Sequence, residues 1–379
     1  MQKYIYLDNS STTKPCETAI SEINKSLSTN WGNPSSLHIL GINAEETIIN
    51  AKENIASFIN CRADEIFFTS GGTESNNLAI IGAADALKRT GRRIVTTSIE
   101  HPSVLNTCKH LEQIGFDVVY ISPESDGNID ADKFISAVNS ETILVSIMLV
   151  NNETGCILPV SYISDKLKEN GYKGLIHTDC VQAFGKLPIN VETLGADLIS
   201  ISGHKIHGPK GIGVLYKSKK VNLKPITFGG GQEKGLRSGT EAVPLIAGIY
   251  GAIKELNPEQ YINQIYELHE YTVNKLKTEC GAVINSPTEN YLPYIINASF
   301  IGLRSETLLH FLEERNIFVS SGSACAKGKG SYVLNEMGLD RKLIDSALRI
   351  SFSKHNTKDE IDTLCKALCD AMNTLRRKL

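Results

Sequence analysis

Lys205 stands in a short polar turn, Ser-Gly-His-Lys-Ile-His-Gly-Pro, between two apolar segments, 195–202 and 211–216, that predict buried strands. A lysine at a strand end is usually a solvated surface charge. Here Ser202 and His204 can both donate hydrogen bonds to a phosphate, and a lysine held beside such a group can bond covalently to pyridoxal phosphate. Two interpretations are therefore open for this turn, a surface charge and a cofactor-bearing lysine.

A second anion site is predicted where the apolar strand 65–70 ends in Gly71-Gly72 and a helix begins near Thr73. The free backbone N–H groups and the positive end of the helix dipole point into such a turn, and Thr73 adds a hydroxyl group. The alternative is a simple capped helix with Glu74 in its first turn, and this stretch alone favours that alternative.

Seven motifs in order over nearly the whole chain resemble those of the cysteine desulfurases, pyridoxal-phosphate enzymes of the class V aminotransferase group with the fold type I architecture. Any one of these motifs is weakly specific, but the ordered set is highly specific. The motifs occupy residues 69–77, 100–101, 150–155, 177–182, 200–211, 237–240 and 321–325.

The resemblance implies a role for each residue of a cofactor site. Lys205 would carry pyridoxal phosphate, Asp179 would hold the protonated ring nitrogen, and Gln182 would bind the phenolic oxygen. His101 would stack on the ring and move protons. The implied phosphate ligands are Gly72, Thr73, Ser202 and His204. Without the resemblance, Asp179 could simply cap a turn, and His101 would more often be a hydrogen-bonded polar histidine.

The resemblance also implies how substrate is held. Arg349 matches the arginine that grips the substrate carboxylate, a task suited to its planar fork, and Asn152 would assist from the side of the cofactor. Asn33 matches a residue near the substrate, although a plain turn residue is equally consistent. Thr240 matches a residue that reaches the phosphate of the neighbouring subunit, which implies a homodimer. Arg349 alone would be consistent with an ordinary salt bridge.

Cys325 distinguishes a desulfurase from an aminotransferase within this resemblance. It lies in a small, flexible and basic segment, 320–330, where a thiolate is favoured, whereas Cys61, Cys108 and Cys180 fit buried apolar positions. The resemblance implies that the Cys325 thiolate takes the sulfur of L-cysteine as a persulfide and that L-alanine is released. Only residues 326–330 separate Cys325 from Ser331, fewer than in the common housekeeping members.

Sulfur would then pass to an acceptor protein, either an iron–sulfur scaffold or a tRNA-thiolation enzyme. Two alternatives stay open within the enzymes, a selenocysteine lyase and another pyridoxal-phosphate lyase or aminotransferase. A third alternative is a catalytically silent scaffold that binds an acceptor protein. The presence of Lys205, Asp179 and Cys325 together argues against a catalytically silent protein.

Strand and helix patterns alternate over most of the chain, which predicts an α/β fold with a mostly parallel sheet covered by helices. Asp179 would then lie at the carboxyl end of a strand, where such folds bind ligands. Beyond residue 258 the pattern predicts a smaller α+β domain. We expect an N-terminal segment, 1–15, that joins the small domain or the active site, a large cofactor domain, 16–258, and a small domain, 259–379, that carries the persulfide cysteine.

Composition limits the partners. The 379 residues carry a formal net charge of −3, which gives no basic field for bulk nucleic-acid binding. Residues 1–8 lack the apolar region of a signal peptide, and the longest apolar run, 143–150, is too short to span a bilayer. These features predict a cytoplasmic protein without membrane contact.

The nine cysteines are scattered rather than arranged in spaced pairs, so no disulfide framework is expected. Two pairs have metal-like spacing, His204 with His207 and Cys365 with Cys369. Neither pair has further ligands nearby in the sequence, and we therefore expect no metal site.

Overall fold

A twisted sheet covered by helices forms the larger part of the molecule. The structure is a computed structural model, and it describes residues 4–321 and 330–375. The strands in these residues are β1 (Ile5–Tyr6), β2 (Ile66–Thr69), β3 (Arg93–Thr97), β4 (Asp117–Ile121), β5 (Thr142–Ser146), β6 (Leu175–Asp179), β7 (Leu198–Ser202), β8 (Gly213–Lys217), β9 (Val283–Ile284), β10 (Ile295–Ser299), β11 (Ile317–Phe318) and β12 (Ala347–Ser351).

The α-helices follow the alternation expected from the sequence in the first two thirds of the chain. They are α1 (Glu17–Ser28), α2 (Ile39–Ile59), α3 (Gly72–Leu87), α4 (Pro102–Gln113), α5 (Ala131–Ser136), α6 (Val160–Glu169), α7 (Val191–Leu194), α8 (Val243–Lys254), α9 (Pro258–Thr278), α10 (Ser305–Glu313), α11 (Tyr332–Glu336), α12 (Arg341–Asp345) and α13 (Lys358–Leu375). Helix α2 begins at Ile39, where the His38 side chain caps it by accepting from the Gly41 N–H.

The central sheet has seven strands among the described residues, in the order β2-β8-β7-β6-β5-β3-β4. Strands β7, β6, β5, β3 and β4 pair in parallel, and β8 runs antiparallel to both of its neighbours. The connection from β7 to β8 is only ten residues long, 203–212, which is too short for the helical crossover of a parallel pair. The predicted mostly parallel α/β fold is confirmed.

Each central strand supplies apolar side chains to both faces of this sheet. Phe67 and Leu198 pack with the helices α3 and α4 on one face, whereas their chain neighbours Phe68 and Ile199 pack in the core that contains α2 and α8. Successive side chains of a strand point to opposite faces, so a sheet buried on both sides needs continuous apolar runs. This two-sided burial explains why the central strands appear apolar throughout in the sequence.

The C-terminal part of the chain builds a separate three-stranded antiparallel sheet, in the order β12-β10-β9. Helices α9 and α13 contact each other, and α10 also packs on α13. Helix α9 begins at Pro258 and is capped by the Asn257 side chain, so the division expected at 258–259 falls within its first turn. The proposed domain limits stay a prediction.

The N-terminal segment links this C-terminal part to the turn that carries Lys205. Strand β1 pairs in parallel with β11, and Asp8 forms a bridge with Ser351 of β12. Farther along, the backbone N–H of Thr13 donates to the His204 carbonyl at 2.9 Å. The N-terminal segment therefore contacts both the C-terminal part of the chain and the turn that carries Lys205.

The lysine turn itself is more regular than a loop, because Gly203–Lys205 form a single 3-10 turn.

Within residues 4–321 and 330–375, no helix has both the length and the apolar character that a bilayer crossing requires.

Candidate active site

A cavity of about 370 Å³ opens at the carboxyl edge of the central sheet. This is the edge where open α/β sheets bind ligands. The residues that line it come from the ends of β2, β3, β5, β6, β7 and β11 or the segments that follow them, from the N-terminal segment and from β12. They are Ser10, Ser11, Gly72, Thr73, Asn76, His101, Ser103, Met148, Val150, Asn152, Asp179, Val181, Gln182, Ser202, His204, Lys205, Ser320 and Arg349.

One end of the cavity is formed by the N-terminus of α3. A side chain at Gly72 would bring its Cβ to 2.8 Å from the Val181 side chain and 3.5 Å from the Cβ of Ser202, so this position needs glycine for the close approach of three segments. The free N–H groups of the first helical turn and the Ser202 hydroxyl lie together there. This end can hold a phosphate.

Asp179 is held at the base of the cavity by two donors. Its carboxylate accepts hydrogen bonds from Asn76 Nδ2 at 2.7 Å and from the Val181 N–H at 2.9 Å. Asn76 Nδ2 also donates to Ser103 Oγ at 2.8 Å. Asp179 is only 6% exposed. This hydrogen-bond network fixes the position of its carboxylate. A fixed carboxylate of this kind suits a cationic ring nitrogen.

His101 caps helix α4 and faces the same cavity. Its Nδ1 accepts from the Ser103 N–H at 3.1 Å, so the proton of the neutral ring is on Nε2. Burial lowers the pKa of His101 despite the attraction of Asp179, and the charge of Lys205 lowers it further. We therefore expect a neutral imidazole at neutral pH.

Lys205 reaches into the cavity and contacts the N-terminal segment. Its Nζ donates to the carbonyl oxygens of Ser10 and Ser11, the latter at 2.8 Å. Next to it, His204 Nδ1 lies 3.2 Å from Thr12 Oγ1. Burial, followed by the charge of Lys205, lowers the pKa of His204 to about 4, so this ring is neutral at pH 7.

Arg349 enters the cavity from β12 and is 5% exposed. Its Nη1 donates to the Asn152 carbonyl at 2.8 Å, and its Nη2 forms an ion pair with Asp8 at 3.0 Å. Its Nε has no hydrogen-bond partner among the described residues. A buried donor without a partner is costly, which is consistent with a ligand carboxylate at this position.

A second buried carboxyl, Glu100, lies near Asp179. Its Oε1 accepts from Thr97 Oγ1 and from the Met148 N–H, each at 2.8 Å. Burial and, to a smaller extent, the negative charge of Asp179 raise the pKa of Glu100 to about 8. Glu100 is therefore mostly protonated at neutral pH.

We expect this buried acid to make folding stability depend on pH. The folded state retains the Glu100 proton up to about pH 8, whereas the unfolded chain loses it near its ordinary value of 4.5. The free energy of unfolding should therefore fall as pH rises through this window, by up to about 1.4 kcal/mol per pH unit from this group. Glu100→Gln should remove that contribution.

Denaturant titrations of both proteins at several pH values measure this effect. The difference between wild type and Glu100→Gln isolates Glu100, because the buried histidines titrate equally in both. Parallel curves for the two proteins across pH 5–8 would contradict a protonated Glu100.

The cavity fits pyridoxal phosphate on its own geometry. Four of its lining residues each have a buried polar atom without a hydrogen-bond partner among the described residues, namely Ser10 Oγ, Asn76 Oδ1, Asn152 Oδ1 and Arg349 Nε. Such atoms require partners that a ligand can supply. A lysine amine, a fixed carboxylate and a helix N-terminus in one cavity are the groups that this cofactor needs.

Most of the residues expected from the sequence meet in this cavity. Asn33 and Thr240 are not among its lining residues, and both are exposed. Asn33 Oδ1 accepts from the Ser35 N–H at 2.9 Å, as a turn residue does. Cys325 lies outside the described residues. The cavity brings together Gly72, Thr73, His101, Asn152, Asp179, Gln182, Ser202, His204, Lys205 and Arg349.

Sequence reasoning missed several cavity residues. Asn76 stands four residues after Gly72 on α3, and this helical spacing could have indicated a shared face. Ser103 and the carbonyls of Ser10 and Ser11 had no comparable signal.

As for metals, the described part of the chain holds no group of three or more His, Cys, Asp or Glu side chains that could bind an ion.

Comparison with known proteins gives a consistent family. Residues 5–364 match the family model described as aminotransferase class-V. A Bacillus subtilis (strain 168) protein named putative cysteine desulfurase IscS 1 is 42% identical over 377 residues, which cover 98% of this chain and 99% of that protein. A Dictyoglomus turgidum protein named cysteine desulfurase IscS is 38% identical over 381 residues, which cover 99% and 96% of the two chains.

Solved structures agree with this result. A NifS-like protein superimposes with a TM-score of 0.92 at 37% identity, covering 98% of this chain and 100% of that one. A structure described as SspA in complex with cysteine has a TM-score of 0.83 at 36% identity, covering 93% and 100%. The chain therefore belongs to the class V aminotransferase family and, within it, to the cysteine desulfurases.

Proposed function

We propose that this chain is a pyridoxal-phosphate-dependent L-cysteine desulfurase, which converts L-cysteine to L-alanine and passes the sulfur to an acceptor. The observation that carries the proposal is the meeting of Lys205, Asp179 and Arg349 in one cavity. The full-length similarity to proteins named cysteine desulfurase supports it.

When bound, the cofactor supplies an electron-withdrawing ring that stabilises negative charge on the substrate carbon. We assign covalent attachment to Lys205, the ring nitrogen to Asp179 and the phenolic oxygen to Gln182. His101 would lie on the ring face. The phosphate would be held by Gly72, Thr73, Ser202 and His204, which all line the cavity.

For the substrate, we assign the carboxylate of L-cysteine to Arg349, with Asn152 beside it. Both residues have buried atoms that lack partners among the described residues, and both line the cavity. Lys205 or the neutral ring of His101 would move the proton of the substrate carbon, because an amine released from the cofactor and a neutral imidazole can each exchange a proton with it. A solved relative is described as a complex with cysteine.

Cys325 is proposed to take the substrate sulfur. Its thiolate would bond to that sulfur as the carbon–sulfur bond breaks, which leaves a persulfide on Cys325. Cys325 lies outside the described residues, but Ser320 lines the cavity and pairs with Arg349 through backbone hydrogen bonds of 3.1 and 2.6 Å. Five residues of extended chain reach at most about 17 Å, so the connection to Ser320 limits how far Cys325 can lie from the cavity.

We also propose a homodimer in which Thr240 completes the phosphate site of the neighbouring subunit. Thr240 is exposed and does not line the cavity of its own chain. Large apolar side chains are exposed at Trp31 (64%), Leu37 (97%) and Phe228 (83%), which a second copy could cover. Asn33 lies between Trp31 and Leu37 in the sequence. We therefore propose that Asn33 contacts the substrate only when the dimer has formed.

The acceptor is proposed to be a protein of iron–sulfur assembly, because relatives carry the names IscS and NifS. A tRNA-thiolation enzyme is the other candidate. A cytoplasmic location stays a prediction.

Asp179→Asn provides a test of the cofactor assignment. Asparagine keeps the shape but loses the charge that would pair with the ring nitrogen, so we expect the affinity for pyridoxal phosphate to fall by about 100-fold or more, equivalent to about 3 kcal/mol. Equilibrium dialysis measures this affinity. The matched control is Asp197→Asn, since Asp197 accepts from the Ile176 N–H at 2.9 Å outside the cavity. Equal affinities in the two variants would contradict the role of Asp179.

A product assay tests the reaction type. Purified protein with pyridoxal phosphate should form L-alanine from L-cysteine without added keto acid, whereas an aminotransferase requires one. Supplying L-selenocysteine in parallel distinguishes a selenocysteine lyase, which would release alanine from that substrate alone. No alanine from either amino acid would contradict the proposal.

A further inference from the structure

Lys186 is a buried lysine to which none of the roles above applies. It follows β6 in the turn Gln-Ala-Phe-Gly-Lys, and the residue is only 7% exposed. Its Nζ donates to Gln182 Oε1 at 3.1 Å and lies 5.8 Å from the centre of the Tyr294 ring. Lysines are rarely buried unless they are paired, so this position needs an explanation.

Among the described residues, no carboxylate lies within ion-pair distance of the Lys186 ammonium. Burial, and then the charges of Lys205 and Arg349, lower the pKa of Lys186 to about 7. The other titratable or charged groups around it are His204 and His207 on the lysine turn and, in a small adjoining cavity, Glu255, Lys354, Tyr261 and Tyr294.

A chain of hydrogen bonds connects Lys186 to Lys205. Gln182 accepts from Lys186 through Oε1 and donates through Nε2 to the Ser10 carbonyl at 2.9 Å. The same Ser10 carbonyl accepts from Lys205 Nζ. One amide therefore lies between the two lysines.

The direction of this chain follows from the chemistry of its ends. The Ser10 carbonyl can only accept, and the Lys186 Nζ can donate whether or not it is protonated. The Gln182 oxygen must then face Lys186, and its NH₂ group must face Ser10 and the cavity. Without a donor at position 186, only the bond to the Ser10 carbonyl would hold this orientation, and the amide could turn its oxygen toward the cavity.

We propose that Lys186 is a positioning residue, which fixes the Gln182 amide with its N–H groups toward the cavity and, in its protonated form, adds a positive charge beside Lys205. This inference rests on the proposed function, in which Gln182 donates to the phenolic oxygen of the cofactor. A wrongly oriented amide would place an acceptor against that oxygen.

The test compares Lys186→Met, which has similar volume but no donor or charge, with wild type. We expect the dissociation constant for pyridoxal phosphate to rise by about 3- to 10-fold, the worth of one hydrogen bond. The pH midpoint of the visible absorption of the loaded protein should rise by up to about 1 unit, because the positive charge that protonated Lys186 contributes near Lys205 is lost. The melting temperature of the cofactor-free protein separates these effects from folding.

Three further variants sharpen the comparison. Lys186→Gln keeps a donor but removes the charge, so it should move the midpoint with a smaller loss of affinity, and it serves if Lys186→Met does not fold. In a Gln182→Leu background, Lys186→Met should have little further effect on affinity. The control is Lys217→Met, because Lys217 is a half-buried lysine that donates to the Val221 carbonyl at 2.8 Å away from the cavity.

The inference is overturned if Lys186→Met and Lys186→Gln change only the melting temperature and leave the dissociation constant and the midpoint at wild-type values. It is also overturned if Lys186→Met weakens binding equally with and without Gln182. A wild-type protein that binds no pyridoxal phosphate would instead overturn the proposed function, and this inference with it.

Discussion

Lys205→Ala is expected to abolish covalent cofactor attachment and to lower alanine formation from L-cysteine by at least about 10³-fold. The cavity places the Lys205 amine beside the proposed phosphate and ring-nitrogen ligands, and it contains no other lysine among its lining residues in the described part of the chain. Borohydride reduction followed by peptide mass analysis measures the attachment. We expect the label on the peptide that contains Lys205 in the wild type and no label in Lys205→Ala.

The control for this experiment is Lys217→Met, since Lys217 lies away from the cavity and should leave labelling and activity near wild type. A Lys205→Ala protein that still bonds covalently to the cofactor would show that another amine carries it. Lys186, which contacts the cavity residue Gln182, is the alternative amine, and the labelled peptide would identify it directly.

The second large effect is expected at Cys325. Cys325→Ala should still bind L-cysteine, because binding is assigned to Arg349 and Asn152, but its alanine formation should fall by about 100-fold or more. The visible spectrum after L-cysteine is added measures binding, and alanine release measures turnover. The two readouts should therefore separate in this variant.

Cys180→Ala is the matched control for Cys325→Ala. Cys180 is fully buried, and burial raises the pKa of its thiol well above the ordinary value, which makes it a poor nucleophile. We expect its turnover to stay near wild type. Full turnover in Cys325→Ala would assign the nucleophile to another residue.

The sequence allowed the sheet edge to be predicted because its chemistry-bearing residues directly follow apolar strands. Asp179 ends β6, and Lys205 follows β7 by one 3-10 turn. Parallel neighbouring strands have their carboxyl ends at the same edge of a sheet. Asp179 and Lys205, which are 26 residues apart in the sequence, can therefore be predicted to meet from the order of the strands alone. The ordered motifs then indicated which cofactor these residues suit.

Other parts of the site had no comparable signal. The carbonyls of Ser10 and Ser11 contact Lys205 through backbone atoms, which no residue type reveals. The burial of Lys186 runs against the usual exposure of lysine, so only the fold shows it. The role proposed for Thr240 needs a second copy of the chain, so the contacts within one subunit carry no signal for it.

The most direct test of the account is a single turnover with the cofactor-loaded wild-type protein in excess over L-cysteine. Mass analysis of the peptide that contains Cys325 should show the addition of one sulfur atom, removable by a thiol reductant, with one alanine released for each sulfur bound. Alanine released with the sulfur on a different cysteine, or with no sulfur bound to the protein, would contradict the proposal that Cys325 receives sulfur from L-cysteine.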